Sequence, residues 1–447
     1  MPLITSLRDP LVQDLETIQM RYVHYFASDV CKELVLYDNA GNNAFRDLIP
    51  LASHHPILLN VMIANAALHM ANAYQNSAAI ALSSRPAIVS PGCDFASPND
   101  SRLTSAQQAR SYRDSLAAKQ RALGLLRSTL ADEAALDIDV ILAVVLLLIE
   151  CELLDSGRDT WKYHVAGTRP LIEKLCQPGL STTGVGSAVR NTIISNCLIF
   201  DILGSTLGSI TGSASEKRLS AEQFSLLQDA EGNHCSSMPV TLLHVAHEGA
   251  RIFQQSYAAS SLDLFTIGRY QQQLVLFLDF AQLFDPLEWA IQLQVRSPSS
   301  DVEHRKHVAS AHRAAVCLYL CRALLFLCPE IVLPCDLESL AAEIITHLTI
   351  IKPSDTLFTA TTWPAFIAGA ETTDPARQAW ARRRFAELWD VEPWGLMTGA
   401  QEALDLIWLD RGASVSFDKG GTVLDENKLK HNWLVSLRES GVDWLIA

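Results

Sequence analysis

Residues Val140 to Ile149 read VILAVVLLLI, an unbroken apolar run fenced by Asp137 and Asp139 on one side and Glu150 on the other. Around it, Leu136, Val140, Val144, Leu147, Cys151 and Leu154 recur in steps of three and four, the period of an α-helix. A helix that is apolar nearly all round belongs in the middle of a layered bundle, where neighbours cover every face. The run falls short of the ~18–20 apolar residues that cross a bilayer, and no other stretch is expected to reach that length. The fold class expected from this segment is all-α: a multi-helix layered bundle, one large helical domain with irregular loops.

Outward from it, the same period recurs. Pro56 to Ala73, PILLNVMIANAALHMANA, reads as a buried helix with proline at its start, where the missing N–H costs nothing. Comparable patterns run over 240–257, 262–283, 301–327, 336–351, 377–389 and 399–408. No alternating segment is paired with a hairpin turn, so strands are not expected. Ser/Pro/Asn/Asp or Gly/Ser/Thr-rich stretches at 83–105, 177–187 and 205–220 read as loops, as do 232–239 and 296–301. None resembles an interdomain linker. Residues 1–447 are therefore expected to form one domain, with two lobes, about 1–235 and 236–447, as the alternative division.

Composition limits the function classes. Apolar residues make up 49% and charged residues 19% of the 447, which is a chain with a large interior. Its net charge of −14 repels phosphate, so direct contact with nucleic acid through this chain is not expected. The first residues, MPLITSLRDPLVQDLE, lack a basic stretch followed by an apolar one, so a secretory signal is not expected either. The ten cysteines then read as reduced thiols.

Chemistry-bearing patterns are weak. A fungal zinc cluster needs six thiolates in C-x2-C-x6-C sets, and no C-x2-C pair occurs in the chain. Cys317, Cys321, Cys328 and Cys335 are spaced by helical steps and read as small hydrophobes of a core helix. His244 and His247, followed by Glu248, do not make H-E-x-x-H. His304 and His307, beside Glu303, read as a solvated first turn, and His54–His55 as a turn entry. There is no nucleophile elbow, P-loop or dinucleotide fingerprint. Arg382, Arg383 and Arg384 read as a solvated basic run. No catalytic, cofactor or metal residue is assigned. Were a polar pocket present, His69 and His164, each in an apolar helical setting, are the first to inspect, against the simpler reading of satisfied core histidines.

Several segments, in a fixed order, resemble a known family. Asn43 to Ala52 (NAFRDLIPLA), His55-Pro56-Ile57-Leu58-Leu59 and Ala66-Ala67-Leu68-His69 are similar to its opening N-P-F-R-x-L-x-P-L-A…P-x-L-L…A-A-L-H. Tyr112 to Leu130, with Ala122, Leu123, Leu126 and Arg127, resembles its next helix. Trp161, His164, Gly167, Arg169 and Leu171 resemble a W-x-x-H-x-x-G step, and His312 to Leu320 an A-x-x-L-Y-L helix. Most specific is Trp363-Pro364 with Phe366-Ile367-Ala368-Gly369 and Glu371, similar to W-P-x-F-I-A-G-x-E. Phe385, Leu388, Trp389, Ala403, Leu404, Ile407, Trp408 and the closing Gly441-Val442-Asp443-Trp444-Leu445 complete the series. Together they resemble the fungal-specific transcription factor domain, the regulatory domain of fungal zinc-cluster regulators, here without the cluster. Trp161, Trp363 and Trp408 are expected as anchors between helix layers, and Gly167 and Gly369 as points of close helix approach.

The resemblance implies a transcription regulator, or regulator-like protein, acting in the nucleus or in cytoplasm and nucleus. Its implied partners are proteins (a DNA-binding regulator or the transcription machinery), a small-molecule effector and a second copy in a homodimer, with no membrane. Chains of this family usually carry the cluster ahead of the domain, and this one starts almost where the domain starts. Three readings follow: part of a longer regulator, a stand-alone partner of one, or a scaffold recruited to small-molecule binding or an enzymatic step of a biosynthetic pathway.

Overall fold

The computed structural model describes residues 16–39, 41–83, 98–131, 137–176, 186–208, 218–259, 261–297, 301–416 and 431–447. Among them the regular structure is helical, and the only bridge is the isolated pair Arg158 and Trp444. The first half comprises α1 (Thr17–Tyr25), α2 (Cys31–Glu33), α3 (Ala44–Asp47), α4 (Pro56–Ser83), α5 (Pro98–Leu130), α6 (Ile138–Asp155), α7 (Trp161–Leu175), α8 (Ser187–Leu207) and α9 (Ala221–Ala230). The second comprises α10 (Val240–Ala258), α11 (Leu264–Leu283), α12 (Pro286–Arg296), α13 (Val302–Leu327), α14 (Leu337–Ile350), α15 (Thr362–Glu371), α16 (Pro375–Val391), α17 (Leu396–Ser416) and α18 (Trp433–Glu439).

Start signals explain the boundaries. Asp137, Asp263, Asp285, Asp301, Asp336 and Asp374 each accept hydrogen bonds from backbone N–H groups of the following helix, satisfying donors that have no intrahelical partner. The predicted helices are all present: those expected over 240–257 and 377–389 extend by up to two residues at an end, those over 56–73 and 399–408 run on to Ser83 and Ser416, and those over 262–283, 301–327 and 336–351 start one or two residues later. The exception is the loop expected over 83–105: residues 84–97 lie outside the described ones, but α5 already begins at Pro98. Residues 177–185, 209–217 and 298–300 of the other expected loops also lie outside, as do residues 1–15 of the first stretch. Ser205 belongs to the last turn of α8, and Ser187 opens it.

α6 is the centre. Every residue from Asp139 to Leu154 is buried, so the all-round apolar pattern has its physical reason in contacts on every side. α4 packs on α5 and α6, and α13 sits among α10, α11, α12 and α14. One contiguous apolar core draws residues from Tyr22 to Ile446.

Two helices correct the expectation about length. Segments 56–76 and 302–327 are long and apolar enough to cross a membrane, with mean hydropathy 1.2 and 1.3. Within the fold 72% and 78% of their most apolar 18-residue stretches is buried, which is the environment of core helices. The opposite inversion appears on α11 and α12, where Leu264, Phe265, Leu276, Phe280, Leu283, Ile291 and Val295 are exposed.

Candidate functional site

A polar stripe on an otherwise apolar helix builds the site. On α4, Asn65, His69, Asn72 and Asn76 recur at steps of four, three and four; Asn65, His69 and Asn76 are buried and Asn72 is half-buried. Asn65 donates to the Leu147 carbonyl on α6 at 2.8 Å. Asn72 donates to the carbonyls of Leu154 and Pro393 at 2.8 and 2.9 Å, and Asn76 to that of Trp389 at 3.2 Å. α4 thereby ties the end of α6 to the connection between α16 and α17. Gly395, in that connection, donates its N–H to the Leu154 carbonyl at 3.0 Å. A Cβ on Gly395 would stand 1.9 Å from the Asp155 carbonyl oxygen, and one on Gly399 2.2 Å from that of Ser156. Only glycine lets the two backbones meet here.

His69 is the pivot. Its Nδ1 is 2.9 Å from the Tyr25 hydroxyl and its Nε2 2.8 Å from Glu33 Oε2. The same Glu33 oxygen accepts from the Trp394 indole N–H at 2.8 Å. Beyond Glu33 opens a cavity of about 50 Å³, walled by Glu33, Glu150, Glu392, Phe200, Trp394 and Met397 among others, room for roughly three or four waters.

Its carboxyls are unequal. Glu150 is 3% exposed, and no described group pairs with it. Burial pushes its carboxyl up to about 8, because a lone charge in low dielectric is disfavoured. Burial also raises Glu392 well above the usual carboxylate range, the Glu33 carboxylate adds to this, and a Thr359 hydrogen bond and Lys32 offset part of it. The arrangement concentrates acidic groups with no Lys, Arg or His among the wall residues.

The other sequence candidates lie apart from the cavity. His164 Nε2 stands 3.1 Å from Glu152 Oε1, and Lys119 Nζ reaches the same oxygen at 2.8 Å. Burial opposes ionisation of Glu152, but His164, Lys119 and Thr160 outweigh it and take the carboxyl down to about 2. His69 and His164 thus serve two separate networks. His304 pairs with Asp355, and His307 Nδ1 meets His347 Nδ1 at 2.8 Å, so that first turn is packed against its neighbours and not merely solvated. His244 lies edge-on to Phe224, while Glu248 holds Arg251 at 2.9 Å. Cys321 and Cys335 approach to 3.6 Å, but Cys328 turns to Gln271. Among the described residues no group of three or more His, Cys, Asp and Glu is placed to hold a metal.

Of the expected anchors, Trp161 and Trp363 are buried and Trp408 is partly buried against the core. The Trp363 indole donates to Thr206 Oγ1 at 3.3 Å and stacks with His312 at 6.2 Å. Trp161 donates to the Asp443 carbonyl at 3.1 Å, and Trp408 to that of Gly369 at 3.0 Å. A Cβ on Gly369 would meet Ala381 and Leu404 at 3.1 Å. Gly167 is a correction: a Cβ there would find nothing within 4 Å, so no close approach depends on it. The basic run is a second one, since Arg384 is buried over the Phe358 ring while Arg382 pairs with Asp405. Glu371, which closes the W-P-x-F-I-A-G-x-E pattern, binds Arg322 and accepts from the Trp433 indole at 3.0 Å, a structural lock.

Sequence reasoning missed Glu33, Glu392 and Trp394 and read Glu150 only as a fence. The signal available was the stripe at 65, 69, 72 and 76, together with Gly395-x3-Gly399. The family model described as the fungal specific transcription factor domain matches residues 21–446. The chain is 32% identical over 414 residues to the acriflavine sensitivity control protein acr-2 of Neurospora crassa, covering 90% of this chain. It spans 64% of the length of that curated relative. No solved structure matches.

Proposed function

Because the chain belongs to the fungal specific transcription factor domain family, we propose that it is the regulatory body of a transcription regulator, with an effector site between Glu33, Glu150 and Glu392. The observation supporting the effector site is Glu150, a carboxyl held in the interior without a partner. Glu371 and Glu152 are interior carboxylates held by cationic partners, whereas Glu150 has none and borders a cavity, which marks a place for a ligand. The wall draws on α2, α6 and the α16–α17 connection, which gives occupancy a way to bias how distant parts of the chain pack. We treat residues 1–447 as one unit in this reading, supported by the core shared from Tyr22 to Ile446.

The output goes to protein partners in the nucleus, a DNA-binding regulator or the transcription machinery, with a homodimer among the arrangements. Contact with DNA is left to those partners, given the net charge of −14. The relative's printed name, a control protein for acriflavine sensitivity, agrees with a regulatory role. A second reading, a recruited enzyme, is favoured by one observation: Glu150 and Glu392 are two carboxyls with raised pKa on one cavity wall, the kind of group general acid–base chemistry uses. The wall's one thiol, Cys235, lies 3.8 Å from His234 Nδ1, but burial pushes the thiol up and the imidazole down to about 3, so the pair is not activated and binding is the better reading.

The test is to tether the chain to a heterologous DNA-binding domain in a fungal cell and measure a reporter. The expected result is output that differs from the DNA-binding domain alone and that changes in Glu150→Gln at equal protein level. Output indistinguishable from the bare DNA-binding domain would remove the regulatory reading.

A further inference from the structure

We propose that the cavity takes a small organic ammonium ion, a primary amine sized for about one to three carbons, paired with Glu150 on a wall that it shares with Glu392 and Glu33. Three carboxyl groups line one small space, and no cationic side chain lines it with them. Glu150 is 3% exposed and faces that space without a hydrogen-bond partner. The third group, Glu33, is already fixed by His69 and the Trp394 indole, so it is held in place before any ligand arrives. Phe200, Trp394, Leu153 and Met397 complete the wall. They suit a short alkyl stem, and the indole face adds attraction for a cation. A bare metal ion fits less well, because the carboxyls are not gathered into a metal-holding group among the described residues.

Proton balance follows from the empty state. Burial pushes Glu150 up to about 8, so near neutral pH it holds a proton. An entering ammonium displaces it: R–NH3+ and the neutral carboxyl give the ammonium–carboxylate pair and one free proton. Cys235 and Cys197 are the titratable groups close enough to feel the Glu150 charge, while Glu33 and Glu392 share its wall, with His69 bound to Glu33 and Lys32 acting on Glu392. Binding therefore tightens as pH rises toward about 8.

The inference rests on the cavity being an effector site, but its test needs no transcription. The purified full chain is titrated with ammonium, methylammonium, ethylammonium and propylammonium chlorides against NaCl and KCl at equal ionic strength. A saturable rise in Tm with the alkylammonium ions is expected, with calorimetric heats that depend on the buffer and report about one proton released per amine. Glu150→Gln should bind about ten-fold more weakly. If that variant does not melt cooperatively, Glu392→Gln replaces it. No saturable shift, an equal shift with KCl, or undiminished binding in the variant overturns the proposal. An amine that binds while the tethered reporter stays silent removes the regulatory reading alone.

Discussion

The two sides of α6 carry glutamates two residues apart with opposite fates. Glu152 faces α5 and α7, where Lys119, His164 and Thr160 hold its carboxyl down to about 2. Glu150 faces the cavity, where burial alone pushes it up to about 8. Both are nearly inaccessible, at 4% and 3% exposure. Burial therefore does not decide the charge of an interior carboxyl here; the partners supplied by the neighbouring layer do.

The most drastic way to break this contrast is to remove one side of it. Gly395→Ala would drive a methyl into the Asp155 carbonyl and push α17 off α6, at a cost of about 4 kcal/mol or more. Urea unfolding monitored by circular dichroism checks it. Next comes Glu150→Gln, which should gain stability on the order of 3 kcal/mol at pH 8 and almost none at pH 4. Because the folded carboxyl is raised above its unfolded value, the wild-type chain binds the extra proton between about 4.5 and 8 and loses stability as pH rises through that window. The variant's urea midpoint should lack that slope.

Glu152→Gln should show the reverse sign and a smaller size. It is expected to cost about 2 kcal/mol at neutral pH, less than a fully buried pair, since Lys119 keeps 22% of its side chain accessible. The folded Glu152 carboxyl is depressed, so the wild-type chain keeps this stability above about 4.5 and loses it as pH falls toward about 2. Acid titration of the two variants side by side should give curves that diverge in opposite directions. The smallest effect belongs to the exposed apolar face. Leu276→Asp on α11 should change stability by less than about 0.5 kcal/mol, because the side chain is already 65% exposed.

The helices were legible because their information is local. Steps of three and four, aspartate caps and proline starts fix α4, α6, α13 and α14 without reference to the rest of the chain. The difference between Glu150 and Glu152 was not legible, since both simply follow an apolar run in sequence. What separates them comes from elements far along the chain: Glu33 accepts from an indole 361 residues away. His69 stood out as a polar residue in an apolar helix, and the structure makes it part of the site. His164 stood out by the same criterion and serves a separate network, because one rule cannot see which layer a face meets. Gly167 and Gly369 looked alike as well, and only the second has neighbours close enough to need a hydrogen in place of a methyl.

The bond between Glu33 and Trp394 also sets a clock. At a synthesis rate of roughly 5–20 residues per second, the 361 residues between them take about 20–70 s to emerge from the ribosome. Throughout that interval Glu33 and His69 have been made, but the indole that completes their wall has not. The amino-terminal helices must therefore wait, with apolar faces uncovered, for a partner still being translated. Slowing translation within residues 34–393 lengthens that wait and raises the demand on chaperones, even though the finished protein is unchanged.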